Sequence, residues 1–152
     1  MTRICLLSTE PDEAVQWLTD ADVISMPIEI AQVLLTAWHK VKPGHFSLVI
    51  NYLDGDPWLE WVMASAGNYE ELWNYGMDLV SEHYHRYGSR RTPPYVHGIS
   101  RQLESLAALP PLPSVGLTPL PITTEQARLS YNTAGIFNCY THRVKPEWKD
   151  IV

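Results

Sequence analysis

Cysteine and charge are both scarce in this chain of 152 residues, and each scarcity excludes a class of protein. Two cysteines, Cys5 and Cys139, are too few for a disulfide framework at this length and belong to no Cys-x-x-Cys pair, so both are expected to be small buried side chains. No apolar run approaches the roughly 18 residues of a membrane span, and acids follow the short apolar start at once, unlike a signal peptide. We therefore expect a protein of the reducing cytoplasm that makes no membrane contact.

Motifs that bind nucleotides or metals are also missing. The sequence contains no Gly-x-x-x-x-Gly-Lys-Ser/Thr loop, no Gly-x-Gly-x-x-Gly, no His-Glu-x-x-His and no zinc-type spacing of Cys and His. His83 and His85 form only a weak metal signal, because side chains at i and i+2 diverge on a helix. We therefore predict no cofactor and no metal, and we expect the energy source of any enzymatic reaction to be built into the substrate.

Negative charge predominates, with a formal net charge of −6, but it is unevenly distributed. Residues 1–75 carry three Lys/Arg and eleven Asp/Glu, whereas residues 76–152 carry eight and six. Between Arg86 and Lys145 there are seven basic and two acidic residues. A general nucleic-acid binder would be basic overall, so only the second half is suited to contact an anion.

Apolar residues make up 45% of the chain, which is enough for the packed core of one domain. We predict a mainly α, single-domain helical bundle over residues 1–152, with at most a minor strand pair and a proline-rich connector before the C-terminal helix. Helices are expected at about 11–19, 26–40, 57–66, 68–87, 98–108 and 123–131, the connector at 108–121, and the possible strands at 3–8 and 45–53. The predicted helix ends are Ser25 before Pro27, Asp56 before Pro57, Gly67 as a break, Asn68 with Glu71, Gly88 as a stop, and Thr123 with Gln126.

A polar stripe on the second predicted helix suggests acid–base chemistry. Glu29, Gln32 and Thr36 recur at i, i+3 and i+7 on an otherwise apolar helix, and Asp22 continues the stripe towards the N-terminus. A carboxylate beside an apolar wall is a candidate general base, because desolvation moves its pKa towards neutral. The alternative is the solvent-facing side of an amphipathic helix, and the spacing does not decide between them.

Arginines cluster at the end of the fourth predicted helix. Glu82 and Arg86 form an i, i+4 pair, and Tyr87, Arg90 and Arg91 follow closely. Guanidinium groups suit phosphate oxygens, so the cluster is a candidate phosphate site. The alternative is the ordinary preference of helix C-termini for cations.

At these residues the sequence resembles a family of small bacteriophage proteins, the amino acid:DNA transferases of thymine hypermodification. The resemblance covers residues 10–91 and is carried by motifs in a fixed order: Glu10-Pro11, Asp20-Ala21-Asp22 before a helix with Glu29 and Gln32, Asp56-Pro57 leading to Trp61, then Ser65, Asn68-Tyr69, and Glu82-His83-Tyr84-His85-Arg86-Tyr87-Gly88. The sequence departs from the family pattern at Ala21, Asp22, Ser25 and Asp56, where the family has Lys, His, Lys and His.

The resemblance implies chemistry on DNA that carries an activated thymine, in the cytoplasm of an infected bacterium. An amino acid's α-amine would displace pyrophosphate from a pyrophosphorylated 5-hydroxymethyluracil base, so the partners are modified DNA and a free amino acid. Glu29 or Asp22 would accept the amine proton, and Arg86, with Arg90 or Arg91, would stabilise the departing pyrophosphate. The candidate substrate- and DNA-binding residues are Asp20, Gln32, Trp61, Ser65, Asn68, Tyr69, Glu82, Tyr87, Arg90, Arg91 and Arg143.

Two other functions stay open on the sequence. The start Met1-Thr2-Arg3-Ile4 is similar to that of the small phage pyrimidine-dimer glycosylases, whose nucleophile is the α-amine of the second residue. A non-catalytic phage binding protein is the other alternative, with the acidic half as a docking face.

Overall fold

Six α-helices make up the described part of the chain. The computed structural model describes residues 4–46, 54–88 and 94–133. Its helices are α1 (Pro11–Gln16), α2 (Asp20–Val41), α3 (Pro57–Ala64), α4 (Ala66–Tyr87), α5 (Pro94–Ser105) and α6 (Thr124–Thr133). The predicted mainly α bundle is confirmed, and no strand occurs within these ranges. Residues 4–8 are not helical, and the other predicted strand falls mostly on residues 47–53, outside the described residues.

The centre of the bundle is the antiparallel pair α2 and α4. The start of α2 meets the end of α4 where Asp20 contacts Arg86, and the opposite ends meet where Trp38 contacts Tyr69. The predicted apolar face of α2 is buried, and α1, α3 and α5 pack around the pair. By length and composition α2 is apolar enough to cross a membrane, but 67% of its most apolar window is buried inside the bundle, as in a core helix.

The helix α2 begins six residues earlier than predicted. Thr19, not Ser25, is its N-cap, and the Thr19 hydroxyl accepts a hydrogen bond from the Asp22 N–H at 3.3 Å. Asp20 and Asp22 then place negative charge in the first turn, where the helix dipole favours it. Pro27 lies inside the helix rather than in its first turn. The earlier start also explains why α1 ends at Gln16 and not at residue 19.

The start of α4 also differs from the prediction. Ser65 is the N-cap, accepting the Asn68 N–H at 3.3 Å, and Gly67 lies inside the first turn instead of breaking a helix. Because Ser65 takes the capping role, the Asn68 side chain is free to bind elsewhere. Its partners lie in α3 and in the segment between α5 and α6, and are described below.

Three other helix ends confirm the predicted local signals, whereas α5 begins at Pro94 and ends at Ser105 instead of covering the predicted 98–108. The Asp56 carboxylate accepts the N–H groups of Trp58 and Leu59, with Pro57 in the first turn of α3. Gly88 ends α4 with a φ of 66°. Thr123 and Gln126 exchange side-chain and backbone hydrogen bonds as a capping box. Between α5 and α6, residues 107–123 form the non-helical segment that we call the connector.

Candidate functional site

Arg86 lies at the centre of a buried ion-pair cluster. Its side chain is 0% exposed, and Nε donates to Glu82 Oε2 at 2.7 Å while Nη1 donates to Asp20 Oδ1 at 3.0 Å. The i, i+4 pair predicted from the sequence is therefore present. Asp20, at the first residue of α2, is brought to it across the bundle.

The second terminal nitrogen of Arg86 binds backbone. Nη2 donates to the carbonyl oxygens of Val15 at 3.1 Å and Gln16 at 3.3 Å, at the C-terminal end of α1. One guanidinium thus joins α1, α2 and α4, and satisfies carbonyls that the last turn of α1 leaves open. This arrangement gives Arg86 a structural role, and contact with a substrate phosphate would require displacement of these protein partners.

Asp22 belongs to a second buried network, which holds α6 against α2. The Tyr131 hydroxyl donates to Asp22 Oδ2 at 2.7 Å and accepts the Thr19 N–H at 2.6 Å. Burial, followed by the nearby Asp22 charge, raises the pKa of Tyr131. The carboxylate of Asp22 therefore already accepts protein hydrogen bonds in the position where the sequence predicted a general base.

The other polar residues of α2 lie further along the helix. Glu29 and Gln32 are half-buried, and Glu29 is about 13.5 Å along the helix axis from Asp20, at 1.5 Å per residue. Neither residue is among the hydrogen-bond partners of Arg86. The predicted base Glu29 and the predicted phosphate ligand Arg86 are thus not joined by direct contact.

The residues predicted to bind substrate on α3 and α4 instead hold the connector. Asn68 Nδ2 donates to Thr118 Oγ1 at 2.8 Å and to the Trp61 carbonyl at 2.7 Å, while Asn68 Oδ1 accepts the Thr118 N–H at 2.9 Å. Trp61 Nε1 donates to the Thr118 carbonyl at 3.2 Å. The Ser65 hydroxyl donates a hydrogen bond to the carbonyl oxygen of Val115 at 2.7 Å.

Tyr69 is fully buried between two helix ends. Its hydroxyl accepts from Trp38 Nε1 at 3.0 Å and donates to the Leu106 carbonyl at 2.7 Å. Burial raises the pKa of Tyr69. Since Tyr69 is 0% exposed and Trp61 is 7% exposed, neither ring offers a face for base stacking in this structure.

The remaining predicted site residues lie at or beyond the end of α4. Tyr87 is half-buried, with its ring 4.9 Å from the ring of His83. Arg90, Arg91 and Arg143 lie outside the described residues, so their predicted DNA contacts remain predictions.

A groove between α1 and α4 was not predicted from the sequence. We call it the acidic groove; it has a volume of 290 Å³ and is lined by Asp12, Val15, Asp78, Ser81, Glu82 and His85. The four α4 residues recur at i, i+3, i+4 and i+7, the spacing of one helix face. That spacing was visible in the sequence, but the pairing of this face with α1 was not.

The electrostatics of the acidic groove favour a cationic ligand. Burial, followed by the charge of Asp12, raises the pKa of Asp78. A cation between these two carboxylates would relieve their repulsion. Among the described residues, no group of three His, Cys, Asp or Glu side chains could hold a metal ion.

The raised pKa of Asp78 predicts the effect of removing its charge. Folding favours the protonated form of this carboxyl group, so the ionised group destabilises the folded state at any pH above its folded pKa. Asp78→Asn is therefore expected to raise the urea midpoint at neutral pH. The gain should disappear below the ordinary Asp pKa of about 4, where both proteins are neutral at this position. A gain that is equal at both pH values would contradict the electrostatic cause.

Comparison of the chain with protein-family models, with curated proteins and with solved structures found no match.

Proposed function

We propose that this protein attaches an amino acid, through its α-amine, to a pyrophosphorylated 5-hydroxymethyluracil base in DNA and releases pyrophosphate. The acidic groove is the observation that carries the proposal, because it offers an amine a place between carboxylates of two helices. The ordered motifs over residues 10–91, which resemble those of the transferase family, supply the reaction type. The activity would take place in the cytoplasm of an infected bacterium.

The dimensions and chemistry of the acidic groove suit a small ammonium compound. Its volume of 290 Å³ lies just below the range of about 300–1,000 Å³ that is usual for ligand pockets, so only a small ligand fits. Asp12 and Asp78 provide negative charge, and Val15 provides an apolar wall. Since Glu82 is already paired with Arg86, Asp12 and Asp78 are the carboxylates that remain for the amine.

The proposed reaction is a substitution at the methylene carbon of the activated base. The amine loses a proton to Asp78, whose raised pKa makes it a better proton acceptor than an ordinary aspartate. The neutral nitrogen then forms a bond to the methylene carbon as the carbon–oxygen bond breaks, and pyrophosphate leaves with the electron pair. The second amine proton is released after the bond has formed.

Stabilisation of the departing pyrophosphate requires positive charge, and the residues that the structure describes supply only some of it. Arg86 is committed to Asp20 and Glu82, whereas Arg101 is exposed on α5. We assign the leaving group to Arg90, Arg91 and Arg143, the predicted cations of the basic second half. Their local charge would also offset the overall charge of −6 against DNA.

Nucleoside mass spectrometry tests the activity directly. The protein is incubated with DNA containing pyrophosphorylated 5-hydroxymethyluracil and with a mixture of amino acids, and the digested nucleosides are weighed. A mass gain equal to one amino acid residue is expected, and it would identify the donor. Unmodified nucleosides in intact strands would oppose the proposal, and strand breaks would support the glycosylase alternative.

A pair of variants tests the role of the acidic groove. Asp78→Asn is expected to lower the yield of modified nucleoside at least tenfold. Loss of a sole general base would lower it by about 10²–10⁴-fold, and the expected loss is smaller because Asp12 remains in the groove. Glu70→Gln removes the same charge from an exposed position on the same helix and should leave the yield unchanged. Equal yields from the two variants would remove the acidic groove from the mechanism.

A further inference from the structure

The segment that follows α5 is held to the bundle mainly by hydrogen bonds. It consists of the connector and α6, residues 107–133, and we call it the lid. Between residues 107 and 131 only Pro110, Ala127 and Tyr131 are buried, and Leu112 and Leu120 pack partly against the core. The large apolar side chains that are exposed in the described part of the chain all belong to the lid, namely Leu109, Val115, Leu117, Ile122 and Leu129. Burial of apolar surface therefore stabilises the docked lid less than it stabilises the rest of the bundle.

At one end of the bundle, the lid binds the first turn of α4. The N–H groups of Ala66 and Gly67 have no acceptor within the helix, because they belong to its first turn. They donate instead to the carbonyl oxygens of Pro113 at 2.9 Å and Val115 at 3.0 Å. Thr118 adds the contacts with α3 and α4 that are described above. The lid therefore supplies the acceptors that the start of α4 lacks.

At the other end of the bundle, the lid binds the start of α2. The Tyr131 hydroxyl accepts the Thr19 N–H at 2.6 Å and donates to Asp22 at 2.7 Å. Arg128 Nε donates to the carbonyl oxygen of Leu7, in the segment before α1. Because α2 and α4 are antiparallel, their N-terminal ends lie at opposite ends of the bundle. The lid therefore runs from one end of the bundle to the other and is anchored at both.

Opening of the lid would expose mainly polar groups at these two anchor points. Thr19, Asp22, Ser65 and Asn68 are all buried, and each has a hydrogen-bond partner in the lid. Water can replace those partners, so each hydrogen bond makes only a small net contribution to stability. Exposure of the apolar core has no such compensation. A segment with few buried apolar contacts opens at a lower free energy than the whole domain unfolds.

We propose that the lid opens as one unit while α1–α5 stay folded, and that its opening uncovers the polar N-terminal ends of α2 and α4. The closed lid occupies the hydrogen-bonding groups of Trp61, Ser65 and Asn68. The resemblance to the transferase family implies substrate binding by these three residues. In the proposed reaction, on which this role of the lid rests, DNA reaches them only in the open state.

Amide hydrogen exchange of the full chain, followed by NMR without any substrate, tests the opening. The N–H groups of Thr19, Ala66 and Gly67 are the reporters, because each donates to an acceptor in the lid. Their protection factors should be equal, and at least about a hundredfold lower than that of Leu79, which is buried in the middle of α4. If the three groups exchange only together with Leu79, the lid does not open before the bundle unfolds, and the proposal is wrong.

Two variants test whether both ends of the lid open together, and each is measured at the end opposite to the substitution. Thr118→Val removes a hydroxyl that binds α4, and it should accelerate exchange at Thr19 about three- to tenfold, the usual effect of losing one hydrogen bond. Tyr131→Phe removes the hydroxyl that binds α2, and it should accelerate exchange at Ala66 and Gly67 to a similar extent. Circular dichroism checks that both variants keep the helical fold.

Ser114→Ala is the matched control, because it removes an exposed hydroxyl from the connector. Its exchange should equal that of the wild type at all three reporters. Acceleration confined to the substituted end would show that the connector and α6 open separately, which would overturn the single lid. Since exchange is measured without substrate, a failure of the nucleoside test would remove the lid's role in DNA access and leave its opening established.

Discussion

Arg86→Met is expected to lower the free energy of unfolding by about 3–5 kcal/mol, the usual effect of removing one partner from a buried ion pair. The substitution leaves the carboxylates of Asp20 and Glu82 without their common cation. It also leaves the Val15 and Gln16 carbonyls without the donor that now binds them. Equilibrium unfolding in urea measures the difference.

Arg101→Met is the control for Arg86→Met. It removes the same side chain from an exposed position on α5, so its effect should stay within about 0.5 kcal/mol. If Arg86→Met lowers the free energy of unfolding by less than about 1 kcal/mol, the buried cluster does not hold α1 and α2 on α4. Such a result would return Arg86 to consideration as a substrate ligand.

Gly67→Ala is expected to lower the free energy of unfolding by about 2–3 kcal/mol, although alanine normally stabilises a helix relative to glycine. A Cβ atom at this position would lie 2.7 Å from the Gly116 carbonyl carbon and 2.8 Å from the Leu117 nitrogen. These are backbone atoms and cannot rotate away. The connector must move, and the hydrogen bond from the Gly67 N–H to Val115 is lost.

Gly98→Ala provides the opposite case in α5. A Cβ atom there has no neighbour within 4 Å, so the substitution should stabilise the protein by about 0.5–1 kcal/mol through helix propensity alone. Urea unfolding of both variants, with limited proteolysis of the connector, measures the contrast. A Gly67→Ala protein that is more stable than the wild type would show that the connector does not press against α4.

Where a helix end depends on residues that are close together along the chain, the sequence alone was sufficient to predict it. Asp56 with Pro57, Gly88, and Thr123 with Gln126 were predicted as helix ends, and the structure confirms them. Each signal acts within three residues, so no distant contact has to be known. The apolar face of α2 was predicted for the same reason, because its period belongs to one helix.

Where two neighbouring residues were equally good N-caps, tertiary contacts determined which of them caps the helix. Both Ser65 and Asn68 are good N-caps, and Asn68 was predicted from the sequence to cap α4. In the fold, the Asn68 amide binds Thr118, fifty residues further along the chain, while Ser65 caps α4. The motif residues Trp61 and Tyr69 are likewise used for packing, since Trp61 binds Thr118 of the connector and Tyr69 binds Leu106, the residue after α5.

Composition and spacings of a few residues were enough to predict the helical bundle, three of the six helix-end signals, the connector and the Glu82–Arg86 pair. The burial of this pair with Asp20, and the meeting of Asp12 and Asp78 in one groove, could be known only from the folded chain. Burial and charge repulsion depend on which helices pack together. Helix packing joins residues as far as 109 positions apart along the chain, as in the bond from Tyr131 to Asp22, and no local pattern specifies such a pairing.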